Sequence, residues 1–388
     1  MYKRILKIDL PKKQSAFLWG ARKTGKSTYL KEHFPKSLFY DLLKSDLFFT
    51  FSKSPFLFRE EILSQPEPLL KYPVIIDEIQ KIPSLLDEIH WLIENTSAHF
   101  ILCGSSARKL RRVGVNLLGG RAWSYYFFPL VYPEITYFNL LKVFSHGTIP
   151  SHYDTSNYKK SLKSYINDYL TQEIQLESLV RNLPAFAKFL DSVGFTNGEL
   201  VNYLNISREC AVDAKTVKEY YQILIDTLIG YYVYPFNKPS RRQLTTSMPK
   251  FYLFDVGVAN ALGKKTIETL RGTDAGKSFE QYIFLEMHAY KMMKESDHDI
   301  TYWRTKNGIE VDFVIGNAEI GIEVKISDSI SSQDLKGLVT FAEEYNPKKL
   351  YVVCQEARMR KTTHKDQEIH ILNYQIFLEK LWKGEIFN

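Results

Sequence analysis

Cysteine is scarce in this chain, and the little there is lies scattered. Three cysteines, Cys103, Cys210 and Cys354, occur in 388 residues, each more than 100 positions from the next. That spacing fits neither a zinc site nor a disulfide framework; it points to a reducing cytosol, so a cytoplasmic location is expected. Long apolar runs are lacking too. The longest, Tyr125–Tyr132, is too short to span a bilayer and is interrupted by Pro129, so no membrane partner is expected. The basic start, Lys3, Arg4 and Lys7, is not followed by a sustained apolar stretch, so no secretory signal is expected. Nor does one sign of charge dominate: 51 Lys and Arg against 44 Asp and Glu leave +7, which permits anionic partners without demanding them. With 45% hydrophobic and 24% charged residues, disorder, collagen-like repeats and a coiled-coil rod are excluded. At roughly 100–200 residues per domain, the length allows two or three domains, each with its own core.

The first chemistry lies at Gly20–Ser27, which fits G-x-x-x-x-G-K-[ST] at every fixed position. An apolar strand, Ser15–Trp19, precedes it, and a helix-prone stretch, Lys26–His33, follows until Pro35. About 0.02 such matches are expected by chance at this length. Glycines let backbone N–H groups wrap phosphate oxygens, and the helix N-terminus adds its dipole. Gly20, Ala21, Arg22, Lys23, Thr24, Gly25, Lys26, Ser27 and Thr28 are therefore expected nucleotide contacts. Lys26 should reach the β- and γ-phosphates, and the Ser27 hydroxyl should ligate Mg²⁺.

Pro73–Glu78 is a buried-strand run ending in two acids. Asp77 suits a water-mediated Mg²⁺ contact, and Glu78 suits a base that deprotonates the attacking water. A further strand, Phe100–Cys103, ends in Gly104-Ser105-Ser106, where Ser105 can sense the γ-phosphate beside the Asp77 strand. Phe100–Tyr125 holds five Arg or Lys and no acid. Arg121, after Gly119-Gly120, can act as an arginine finger on a neighbouring subunit's nucleotide, which requires a homo-oligomer. Arg108, Lys109, Arg111 and Arg112 read either as part of that surface or as a solvated helix face.

Together these residues resemble the ring-ATPase (AAA+) superfamily. More narrowly, they resemble a bacterial and archaeal family of ATP-binding proteins that join an AAA domain to a C-terminal domain of unknown function. Gly20–Ser27, Val74–Pro83, Cys103–Ala107, Gly119–Arg121 and Phe128–Glu134 carry the likeness, with Phe279-Glu280, Glu310–Phe313 and Glu323–Lys325 downstream. The resemblance implies an α/β sandwich with a parallel sheet, ATP binding and a Mg²⁺ ion. It supplies no biological role.

A loop-like aromatic stretch with Gly147 and Pro150 predicts a boundary near 150. Tyr165–Val180 then reads as helix. A short helix from an N-cap at Thr196, with Glu199 at capping-box spacing, runs to Leu204; Asn205–Val212 connects, and Asp213–Leu228 follows as a second helix. Strands Tyr231–Pro235 and Lys250–Phe254 complete an order similar to a winged helix-turn-helix. That reading sets Lys215 and Lys218 against DNA and Lys238, Arg241 and Arg242 on a wing, within a loop (237–250) holding four Lys or Arg and no acid. A helical lid or protein-interaction module is the alternative.

In the last third, Ile309–Ile315 and Ile320–Ile326 alternate apolar and polar residues, with Gly316-Asn317 as the turn. A hairpin brings Asp312, Glu323 and Lys325 onto one face, where carboxylates can chelate Mg²⁺ or Mn²⁺ and a lysine can activate water. Glu280, on a helix over 277–290, can add a third carboxylate. This resembles the restriction-endonuclease-like core, PD-(D/E)XK, with Val311 standing where that pattern has Pro. The alternative is a degenerate fold kept for binding. The expected layout is an α/β P-loop NTPase sandwich over 1–150, a winged-helix segment over 151–265 and a restriction-endonuclease-like α/β domain over 266–388. Its expected role is an ATPase whose nucleotide state controls a nuclease-like region acting on nucleic acid, DNA foremost. The alternatives are a nucleotide-gated scaffold or regulator and an ATP-dependent remodeller of a protein partner.

Overall fold

The computed structural model describes residues 2–106, 118–173, 180, 182–236, 248–364 and 367–387. The chain divides into two compact units, Met1–Leu130 with Asp226–Leu228, and Val131–Ile225 with Ile229–Asn388.

The first unit is built on strands β1 (Ser15–Trp19), β2 (Phe39–Asp41), β3 (Val74–Asp77), β4 (Phe100–Gly104) and β5 (Ala122–Tyr126). They pair in parallel in the order β2-β3-β4-β1-β5. Parallel neighbours require crossovers, and helices α1 (Lys26–His33), α2 (Ser45–Lys53), α3 (Phe56–Leu63) and α4 (Leu85–Asn95) fall in the connections. Such sheets are covered on both faces, which explains why β1, β3 and β4 are buried along their whole length and apolar but for Ser15 and Asp77 at strand ends. Phe17, Ile76 and Leu102 on the sheet pack with Phe58, Leu86 and Ile89 of the helices.

The second unit opens with helices α5 (Leu140–His146), α6 (Pro150–Tyr153) and α7 (Tyr158–Ser164), then a widened helix over Tyr165–Glu173. The first continuous stretch of the first unit runs to Leu130, and α5 lies within the aromatic stretch read as loop-like, with Asn139 capping it through Lys142 N–H. Gly147 (φ 75°) ends α5 where any Cβ would collide with Asp255, whose buried carboxylate accepts from the N–H groups of Thr148 and Val258. Helices α8 (Leu183–Phe195), α9 (Tyr203–Cys210) and α10 (Ala214–Asp226) follow, then the antiparallel pair β6 (Gly230–Val233) and β7 (Lys250–Leu253), and α11 (Val256–Leu262).

The helix expected to start at Thr196 starts six residues later, after Asn202. Thr196 instead closes α8, its hydroxyl donating to the Ser192 carbonyl, and Gly198 (φ 82°) turns the chain. Asn202 is the N-cap of α9, accepting from Asn205 N–H, so the expected connector is itself helical.

Helix α12 (Thr273–Met293) leads into strands β8 (Ile300–Arg304), β9 (Glu310–Ile315) and β10 (Ile320–Val324), helix α13 (Lys336–Tyr345), strands β11 (Lys349–Cys354), β12 (Arg360–His364) and β13 (Gln367–Asn373), and helix α14 (Tyr374–Trp382). The six strands order as β12-β13-β11-β10-β9-β8, mixing parallel and antiparallel pairs. Val311, Val352 and Ile371 pack against Leu338 and Phe341 of α13. Among the described residues no helix is long and apolar enough to cross a membrane.

Candidate functional site

The glycine loop leaves the carboxyl end of β1 and delivers the chain into α1. Gly20 is obligatory there, because a Cβ would lie 2.3 Å from the Phe127 carbonyl oxygen. Gly25 takes φ 97° immediately before the helix, and Lys23 also sits in the left-handed region at φ 62°. Thr24 hydroxyl donates to Ala21 O at 2.8 Å, and Arg4 braces the loop from outside by donating to Thr24 O and Phe128 O, each at 2.7 Å. The Arg4 guanidinium also lies 4.0 Å over the Phe127 ring.

Lys26 is buried, and its ammonium donates to Gly20 O at 2.7 Å and Ala21 O at 3.0 Å. The charge is thus stored on the loop's own carbonyls, ready for a stronger anionic acceptor. Ser27 hydroxyl donates to Asp77 Oδ2 at 2.5 Å, so hydroxyl and carboxylate face one space, as a divalent ion would require. Glu78 follows with φ 59°, in the left-handed region a carboxylate residue rarely adopts. Of the remaining loop residues, Ala21 is buried, Arg22 half-buried, and Lys23 and Thr28 exposed.

One residue of this site escaped the sequence reading. Gln80 is buried, and its Nε2 donates both to Glu78 Oε2 at 2.5 Å and to Ser105 Oγ at 3.1 Å. Arg22 also approaches Glu78 Oε2, at 3.7 Å. Gly104 makes room for Gln80, since a Cβ would lie 2.7 Å from its Oε1. Only its place two residues after Glu78, within Val74–Pro83, hinted at this.

Arg121 lies elsewhere. Its carbonyl accepts from Ser15 N–H and Gln14 Nε2, which puts it at the amino ends of β1 and β5, about 15 Å along the strands from the loop. Its guanidinium pairs with Glu94. It therefore cannot serve the nucleotide loop of its own unit. Arg108, Lys109, Arg111 and Arg112 lie outside the described residues, as do Lys238, Arg241 and Arg242. Lys215 and Lys218 are exposed on α10, with Lys218 5.2 Å from the Tyr203 ring centre.

In the second unit, the β9–β10 hairpin pairs Ile322 with Phe313, so Asp312 and Glu323 stand opposite one step further on. Asp312 Oδ2 accepts from Val324 N–H at 2.8 Å, and Glu323 Oε1 accepts from Lys325 at 2.5 Å. Both carboxyls are buried, and Glu323 Oε2 has no hydrogen-bond partner. Burial, reinforced by the Glu280 charge and opposed by Lys325 and Lys250, pushes Asp312 up to about 6. Burial and the Asp312 charge hold Glu323 well above the ordinary carboxylate range. For Lys325 burial opposes the charge, but Asp312 and Glu323 outweigh it and raise the ammonium.

Glu280, expected as a third carboxylate, is engaged on one oxygen: Lys250 donates to its Oε1 at 3.0 Å and Tyr252 hydroxyl at 2.5 Å. Among the described residues no group of three or more His, Cys, Asp or Glu is disposed to hold a metal ion. Lys250, counted with a basic nucleic-acid loop, is instead only 4% exposed and spends its charge on Glu280 and, at 2.5 Å, Glu310. Half-buried Glu280 and Glu310, with buried Asp312 nearby, draw it inward.

Residues 12–136 match the family model described as an AAA domain. Residues 138–269 match a domain of unknown function (DUF8612), and residues 275–377 a second one (DUF4143). No curated protein matches the chain. Among solved structures, the Aeropyrum pernix ORC1 protein in complex with DNA matches at 14% identity, over 65% of this chain and 86% of that one, with a TM-score of 0.28. A likeness that weak carries no argument. The parallel sheet and the match over residues 12–136 make the first unit similar to an AAA domain of P-loop kind, and that similarity supports an ATPase-type function. AAA ATPases in general use ATP and Mg²⁺.

Proposed function

We propose that this chain binds and hydrolyses ATP, and that its nucleotide state controls a C-terminal nuclease-like region acting on nucleic acid, with DNA the favoured partner. The carrying observation is the convergence of Lys26, Ser27, Asp77 and Glu78 at the carboxyl ends of β1 and β3. Loop N–H groups and Lys26 bind the phosphates, and Ser27 with Asp77 would hold Mg²⁺, which supplies charge neutralisation when bound. Glu78 orients and deprotonates the attacking water. Gln80 and Ser105 hold that carboxylate in place, and Ser105 senses the γ-phosphate. Arg121 serves a neighbouring subunit. We divide the chain functionally near 1–150, 151–265 and 266–388. The turn between α9 and α10 followed by the β6–β7 pair supports a winged-helix reading of the middle part. The Asp312, Glu323 and Lys325 face supports a nuclease-like reading of the last, with a Mg²⁺ or Mn²⁺ ion at the two carboxylates.

One experiment addresses both halves: ATP turnover with and without DNA, beside cleavage of single- and double-stranded DNA and RNA in Mg²⁺ or Mn²⁺. Lys26→Ala is expected to lose nucleotide binding, and Glu78→Gln to keep it while hydrolysis drops at least about 100-fold. Wild-type protein without turnover, or Lys26→Ala indistinguishable from it, overturns the ATPase reading. No metal-dependent cleavage, or Glu323→Gln cutting as well as wild type, overturns the nuclease reading. The second reading, a nucleotide-gated scaffold, is favoured by the lysine-neutralised acidic face; salt-dependent DNA binding without cleavage would select it.

A further inference from the structure

Around Asp312 the second unit gathers Glu280 from α12, Glu310 and Asp312 from β9 and Glu323 from β10, with two lysines among them. The lysines divide the acids. Lys325 holds Glu323 Oε1 at 2.5 Å, while Lys250 reaches in from the first residue of β7 to Glu280 at 3.0 Å and Glu310 at 2.5 Å. Glu310 is held on its other oxygen by Arg304 at 3.2 Å, and Tyr252 hydroxyl takes the same Glu280 oxygen that Lys250 does. The Lys250 ammonium also faces the Tyr302 ring at 5.6 Å, so an aromatic wall and two carboxylates enclose it. By contrast Glu323 Oε2, on a residue 6% exposed, has no partner. A buried carboxylate oxygen left unpaired is costly, and a cation beside it and Asp312 would remove that cost.

We propose that Lys250 is a resident counter-cation of this acidic face. Its ammonium occupies the place at Glu280 and Glu310 that a divalent ion could take, and so confines metal to the Asp312 and Glu323 side. The proposal rests on the metal-binding reading of that pair. An ammonium and a divalent ion cannot share these carboxylate oxygens, because their repulsion at contact distance inside a protein is severe. Burial opposes the charge on Lys250, and the surrounding carboxylates outweigh that opposition. Glu280 is then a ligand of Lys250 and not of a metal.

The test is Mn²⁺ titration by calorimetry, with thermal unfolding in parallel, on the full chain without nucleotide. Every protein carries Ser27→Ala, so that the first unit takes up no metal. The reference protein is expected to bind one Mn²⁺, and Glu280→Gln to bind it equally well. Lys250→Met is expected to bind a second ion, or the first at least tenfold tighter, and to gain more in thermal midpoint from Mn²⁺ than the reference does. Lys250→Arg should match the reference, and Lys250→Met with Glu280→Gln should lose the extra Mn²⁺. A tenfold weaker Glu280→Gln overturns the proposal whether or not Lys250→Met folds, as does a Lys250→Met protein that titrates like the reference. Failure of the underlying reading looks different: Asp312→Asn would then bind Mn²⁺ as well as the reference.

Discussion

Lys26 and Lys250 are buried to similar depth, 6% and 4% exposed, and neither ammonium tolerates that depth without acceptors. Lys26 leans on carbonyl oxygens, which a phosphate can replace; Lys250 is clamped by carboxylates. The first was legible in the sequence because the motif is local. The second was not: Glu280 and Glu310 come from far along the chain, and by sequence Lys250 merely ends a basic loop. Glu286 offers a test at this scale. Burial pushes it up to about 7 from an ordinary 4.5, against donors at Trp382 Nε1, Tyr282 hydroxyl and Tyr132 N–H, with Glu134 reinforcing the rise. Folding therefore favours its protonated form. Its stabilising contribution is full below pH 4.5 and is lost as pH rises to about 7, by up to about 3 kcal/mol. Glu286→Gln is expected to flatten that decline, leaving the part of the same sign that comes from the raised carboxyls of Asp312, Glu323 and Asp255. Denaturant unfolding from pH 4.5 to 7.5 measures it; equal slopes in both proteins would refute the assignment.

At the scale of elements, the parts read most faithfully were those where local signals agree. Ser15–Trp19 and Lys26–His33 occupy the residues expected, and the hairpin of β9 and β10 follows the alternation of its sequence. The segment around Thr196 misled because Thr196 and Asn202 are both good caps, and packing of α8 decided between them. The close approach of Gly20 to Phe127 was invisible too, since 107 residues separate them. Gly20→Ala is expected to cost about 1–3 kcal/mol in the first unit, as overpacking does, and to weaken nucleotide binding. Thermal unfolding with and without ATP checks this; an unchanged midpoint would mean the loop can move aside.

For the whole molecule, the position of Arg121 at the amino ends of β1 and β5 has a kinetic consequence. If it completes a neighbour's site, turnover per subunit must fall as the protein is diluted to monomer. Arg121→Ala is expected to keep ATP affinity and to lose at least about 100-fold in hydrolysis at concentrations where wild type is oligomeric, the two converging on dilution to monomer. Turnover that stays constant down to a proven monomer would end that role. The excess charge of +7 carried no such information by itself.

The Arg4 brace bears on how this protein can be cut into pieces. A fragment beginning at Ser15 would retain every residue of the phosphate motif, yet it would lack the guanidinium that ties Thr24 O to Phe128 O. Boundaries drawn from motif matches alone would thus yield a shortened ATPase whose loop has the right letters and a slackened backbone.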